Sequence, residues 1–129
     1  MDMTKTYSRD VQVLMKILQN QKNIMEAIEH FQCNVNNLHQ NRMAFDLCAF
    51  YMAQIGEDVK LLTENTCKQL TFLDYKMLIY FRNMVDHTYE KVDRAVLKAY
   101  IYNVIDQRAM EQVKQRIKFC TANAESKSL

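Results

Sequence analysis

An all-α fold follows from three observations. The chain has no Pro and a single Gly, Gly56; it is rich in Leu, Met, Lys, Gln, Glu and Ala; and its apolar residues recur at three- and four-residue steps. Hairpins and tight βα turns draw on Gly, Asn-Gly or Pro, so strands have little turn chemistry here. The abundant residues are good helix formers. The 129 residues suit one domain, 1–129, with an ordered core of about 8–121 and a frayed C-terminal tail. That length buries a core without disulfide or metal staples.

The first helix is predicted from about Ser8 to His30, with Val11, Leu14, Ile17, Leu18, Ile24, Met25, Ile28 and Phe31 as its apolar stripe. The Asn- and Gln-rich stretch Phe31 to Asn41 is a connection. The second helix starts near Asn37 or Arg42 and ends near Glu64, burying Phe45, Cys48, Ala49, Met52, Ile55, Val59 and Leu62. Thr63 to Leu73 is the next connection, and Thr71-Phe72-Leu73-Asp74 has the form of a capping box. A third helix runs from about Phe72 to His87, with Leu78, Phe81 and Val85 facing inward. Asp93 is the N-cap of a fourth, which reaches about Thr121 and is open to a break at Asp106, where the apolar spacing becomes irregular. Connections of about ten residues or fewer make a four- to five-helix up-down bundle.

Cys33, Cys48, Cys67 and Cys120 show no C-x-x-C and no metal-ligand spacing, so they read as reduced thiols and no metal or cofactor is expected. The polar N-terminus lacks the apolar core of a signal peptide, and the longest apolar run, Leu47 to Ala53, is too short to cross a bilayer. A cytoplasmic protein is expected. Net charge divides unevenly, −2 over residues 1–64 and +4 over residues 65–129. The basic half suits a phosphate-bearing partner and equally a solvated mixed-charge face.

Chemistry concentrates in Arg82-Asn83-Met84-Val85-Asp86-His87-Thr88-Tyr89. On a helix Asn83 and His87 share a face, and Arg82 and Asp86 are spaced to pair. Arg82 and His87 stand about 140° apart on an ideal helix, so they converge on one substrate only if the helix ends near His87 or a second chain completes the site. The residues alone also describe an ordinary helix end, with His87 near the negative end of the dipole. His30 and His39 read as surface residues. Glu57, beside Gly56 on an otherwise apolar stretch, is either exposed or placed at a site.

The arrangement Arg82-Asn83-x-x-x-His87-x-Tyr89 resembles the R-x4-H-x-Y signature of the HepT-type HEPN family. Ile55-Gly56-Glu57-Asp58-Val59-Lys60-Leu61-Leu62 resembles that family's IGEA-x-K-x-L stretch, Tyr75 stands where Trp is usual, and Val92-Asp93 before an apolar helix resembles the segment that follows the Tyr. The resemblance covers roughly residues 8–118. It implies a homodimeric helical bundle that is a metal-independent endoribonuclease toxin, paired with an MntA-type nucleotidyltransferase antitoxin. Arg82, His87 and Asn83 would carry catalysis on RNA, Tyr89 would be the hydroxyl modified by nucleotidylation, and Glu57 would support the site by holding Arg82. The chain departs from the pattern at Tyr80, where Gly is common, and at Asp86, where Val or Ile is common. A carboxylate at Asp86 either raises the His87 pKa by favouring imidazolium or weakens attraction for phosphate. Two other classes fit the same residues: a non-catalytic subunit presenting a nucleotide or substrate to a nucleotidyltransferase, and a purely structural helical dimer.

Overall fold

The computed structural model describes residues 3–86 and 93–125. Among them there are six α-helices and no strand: α1 Met3–His30, α2 Arg42–Val59, α3 Glu64–Gln69, α4 Tyr75–Asp86, α5 Arg94–Ile105 and α6 Gln107–Glu125, with a 3-10 turn at Leu38–Gln40. The all-α class expected from the sequence is observed, but with six helices among the described residues where four to five were expected, because a short α3 fills an expected connection and the fourth predicted helix is split at Asp106. No helix among the described residues is long and apolar enough to cross a membrane.

The long α1 is the axis of the packing, lying against α2 and α6, while α4 packs on the other flank of α2. Its buried stripe is Asp10, Leu14, Ile17, Gln21, Ile24 and Ile28, alternating steps of four and three. Met25, expected in that stripe, is 45% exposed. It sits one position past Ile24, a rotation of about 100° on a helix, which turns it out of the seam. Two polar side chains occupy the seam instead. Gln21 donates through Nε2 to the Val104 carbonyl at 2.8 Å, satisfying an oxygen in the last turn of α5 that the helix itself leaves open. Asp10 lies about three turns nearer the N-terminal end of α1.

A buried polar network forms there. Asp10 is fully buried and its carboxylate accepts from the Thr63 backbone N–H (3.1 Å), the Thr63 hydroxyl (2.6 Å) and the Thr66 hydroxyl (2.6 Å). Arg116 of α6 donates through Nε to the Thr66 oxygen at 3.0 Å and stacks its guanidinium 4.3 Å from the Phe119 ring centroid. One cluster of hydrogen bonds therefore ties α1, α3 and α6 together.

The boundaries follow the caps. Asn41 caps α2 by accepting from the Ala44 N–H, so Arg42 rather than Asn37 begins the helix. Thr63 caps α3 and is anchored by Asp10, so a short helix stands inside the expected Thr63–Leu73 connection and α2 ends at Val59, not near Glu64. The capping box at Thr71 does not form. Asp74 accepts from the Met77 N–H, α4 begins at Tyr75, and the Thr71 hydroxyl is taken by Gln112 and Arg108 of α6. Asp93 caps α5 through the Ala95 and Val96 N–H groups. Asp106 does break the fourth predicted helix: its backbone is extended and its carboxylate accepts from the Ala109 N–H at 2.7 Å, ending α5 and capping α6.

At the C-terminus of α1, Gln32 adopts φ 55°, with Gln32 N–H bonded to the Glu29 carbonyl and Cys33 N–H to the Ile28 carbonyl. This is a Schellman end whose left-handed residue is usually Gly. The expected α2 stripe is buried from Phe45 to Val59, with Leu62 packed at its margin. Leu78 and Phe81 are buried in α4 as expected, and the Val85 side chain lies outside the described residues.

Candidate functional site

The candidate site lies where α4 packs closely on Gly56 of α2. Gly56 makes that approach possible: a Cβ there would sit 3.3 Å from both the Cβ and the carbonyl oxygen of Leu78. The single glycine of the chain thus lets the α4 backbone close on the last turn of α2, with the next residue, Glu57, facing the seam's rim.

Glu57 reaches across that rim. Its Oε1 accepts from an Arg82 terminal nitrogen at 3.3 Å, joining positions 25 residues apart. The same carboxylate oxygen lies 3.4 Å from the Lys60 ammonium, three residues on along α2. All three side chains are partly exposed, Arg82 at 32% and Glu57 and Lys60 at 49% each. Solvent screening keeps such pairs weak, at about 0–1 kcal/mol, so they orient charge more than they stabilise the fold. Arg82 and Lys60 also line a cleft of about 60 Å³ with Gly56, Val59, Tyr75, Leu78 and Ile79. The lining of the cleft is apolar, so Arg82 and Lys60 border it with their aliphatic stems.

Of the residues singled out in the sequence, the structure brings Glu57 and Arg82 into contact, and Asn83 follows Arg82 on α4, half-buried. His87 and Tyr89 lie outside the described residues, as does the Asp86 side chain. Tyr80 is 38% exposed on the same helix. His30 is exposed as expected, whereas His39 is half-buried in the 3-10 turn with its Nδ1 shielded and without a hydrogen-bond partner. The 3-10 turn packs on α2 and α5.

Lys60 enters the sequence reading only within the Ile55–Leu62 stretch, with no role assigned to it. Its signal was available: a cation three residues after Glu57 shares a helix face with it. The Asp10 network was likewise visible only as polar residues at positions of an apolar stripe.

Electrostatics around the site are set by its shoulders. Burial, then a hydrogen bond with Cys67, pushes the Tyr75 phenol up to about 12, so it is neutral at the cleft. Asp58 is raised from its ordinary value by burial, with Glu57 adding to the shift and Lys16 opposing it. All four cysteines are free thiols, and burial, with Cys33 nearby, pushes the Cys48 thiol up to about 12. Among the described residues no group of three or more His, Cys, Asp or Glu side chains is arranged to hold a metal ion.

Apolar side chains flank the ion pair on its open side. Phe50 shares the Glu57 face of α2, Leu61 lies in the turn just after that helix, and Tyr75 and Ile79 precede Arg82 on α4; each is 45–49% exposed. No family model matches the chain, and no curated protein or solved structure matches it either.

Proposed function

We propose that this protein is a metal-independent endoribonuclease of the HepT-type HEPN kind, acting as a homodimer and held in check by a partner MntA-type nucleotidyltransferase that modifies Tyr89. The observation that carries the reading is the Glu57–Arg82 contact at 3.3 Å. It joins the two segments on which the resemblance rests, and it aims a guanidinium from the turn of α4 that leads toward His87.

The chemistry needs only what RNA and these side chains supply. The 2′-hydroxyl attacks the adjacent phosphorus, a new O–P bond forms, and the bond to the 5′-oxygen breaks. The imidazole of His87 takes the hydroxyl proton or delivers one to the leaving oxygen. Arg82 holds the phosphate and the charge that grows on it, in a bidentate geometry that a lysine cannot reproduce. Asn83 orients the imidazole or a phosphate oxygen. The exposed apolar side chains around Arg82 supply a surface for a second copy, which would bring two such segments to one axis. A nucleotide on Tyr89 would place a phosphate near Arg82 and exclude RNA by charge and bulk.

The deciding experiment is RNA cleavage by the purified protein with and without EDTA. Wild-type protein should cleave in both conditions, His87→Ala and Arg82→Ala should be inactive, and Arg82→Lys should recover little. Intact RNA under all conditions would shift the reading to the non-catalytic binding subunit. Cleavage that EDTA stops would overturn the mechanism. Light scattering should give a dimer at micromolar concentration, and Tyr89→Phe should show no mass gain when incubated with its nucleotidyltransferase and ATP.

A further inference from the structure

Glu57 is shared. One carboxylate oxygen lies 3.3 Å from Arg82 and 3.4 Å from Lys60. Two cations, one on α4 and one at the C-cap of α2, therefore converge on one small anion. A carboxylate and a phosphate oxygen pair offer the same acceptors to such a pair of donors. Because all three side chains are at least a third exposed or nearly so, an incoming anion reaches them without unfolding anything.

We infer that Lys60 and Arg82 form a two-cation seat for a phosphate group of an RNA strand, with Glu57 as its resident counter-ion, displaced when the phosphate arrives. This deepens the reading of the site as one that takes RNA and rests on it. Glu57 then has two effects: it holds the guanidinium in place in the free protein, and it lowers affinity by competing with the ligand. Lys60 becomes a binding residue that contributes charge without the bidentate geometry of Arg82.

The test is binding of a fluorescent 2′-O-methyl oligonucleotide, which cannot be cleaved, measured by anisotropy over a range of salt. Lys60→Gln should weaken binding about two- to five-fold, the range of a half-exposed ion pair. It should also flatten the salt dependence by about 0.7 in log–log slope, the value for one phosphate on a single strand. Glu57→Gln should tighten binding by a similar factor. Arg42 and Asp46 form an equivalent exposed pair, 3.7 Å apart, in the first turns of α2. Arg42→Gln and Asp46→Asn repeat the same charge changes there and should leave binding and slope unchanged. The inference is overturned if Glu57→Gln weakens binding, if the Arg42 and Asp46 variants move it as much as their counterparts, or if Arg82→Gln weakens it and Lys60→Gln does not. No binding by wild-type protein at low salt overturns both this inference and the nuclease reading. Binding with the expected variant pattern, but no cleavage of natural RNA, overturns the nuclease reading and leaves the seat standing.

Discussion

Replacing Asp10 with Ala should be among the most damaging single changes in this protein. The carboxylate is fully buried and accepts three hydrogen bonds, two of them at 2.6 Å from Thr63 and Thr66. Hydrogen bonds to a charged group contribute about 1.5–3 kcal/mol each. Three give roughly 4.5–9 kcal/mol gross, from which the cost of burying the ion, several kcal/mol, must be subtracted. The alanine variant escapes that cost but leaves donors behind. The Thr66 hydroxyl keeps Arg116 as donor and has the Cys120 sulfur at 3.9 Å as a weak alternative acceptor, whereas the Thr63 N–H and hydroxyl lose their partner. Two stranded donors at about 1–3 kcal/mol each put the net loss at about 3 kcal/mol. Urea denaturation followed by circular dichroism measures it. Asp10→Asn, which keeps one acceptor, should recover part of the loss, and Thr66→Val should cost less than Asp10→Ala. A loss under about 1 kcal/mol for Asp10→Ala would refute the argument that this network latches α1, α3 and α6, since one ordinary hydrogen bond would then account for it.

Gly56→Ala gains about 1 kcal/mol of helix propensity but places a methyl 3.3 Å from the Leu78 carbonyl oxygen, and overpacking costs about 1–3 kcal/mol, so a net loss is expected in a thermal melt. A higher Tm would show that α2 and α4 are free to separate there. Gln32→Gly relieves a left-handed residue at the end of α1 and should stabilise by about 1 kcal/mol, raising Tm by about 4 °C. An unchanged or lower Tm would mean the Gln32 side chain makes good the strain. The Cys48 thiol has its pKa raised from 9.0 to about 12 in the fold, so between those values the folded state binds the extra proton. Its contribution is intact below pH 9 and is lost as pH rises toward 12, at up to about 1.4 kcal/mol per pH unit. Urea midpoints of wild type and Cys48→Ala should therefore converge as pH rises from 8 to 11, and parallel curves would refute the assignment.

What the sequence determined by itself was local. The helical class, the buried face of α2, the cap at Asp93 and the break at Asp106 all follow from spacing and cap chemistry within one or two turns, and the structure has them. The choice between competing local signals belonged to tertiary structure. Thr63 and Thr71 are both plausible cap residues; Asp10, 53 positions from Thr63, anchors the first, while Arg108 and Gln112 draw the second away. Periodicity marks which face of a helix is apolar, but it carries no record of which polar residue on that face will find a partner, so Asp10 and Gln21 stood hidden in the α1 stripe. The same reason governs the candidate site. The motif around Arg82 and the Gly56-Glu57 stretch are readable separately, and Lys60 is readable as a neighbour of Glu57. That one carboxylate holds both cations is decided by how closely two helices pack where a side chain is missing, and that closeness is a property of the fold.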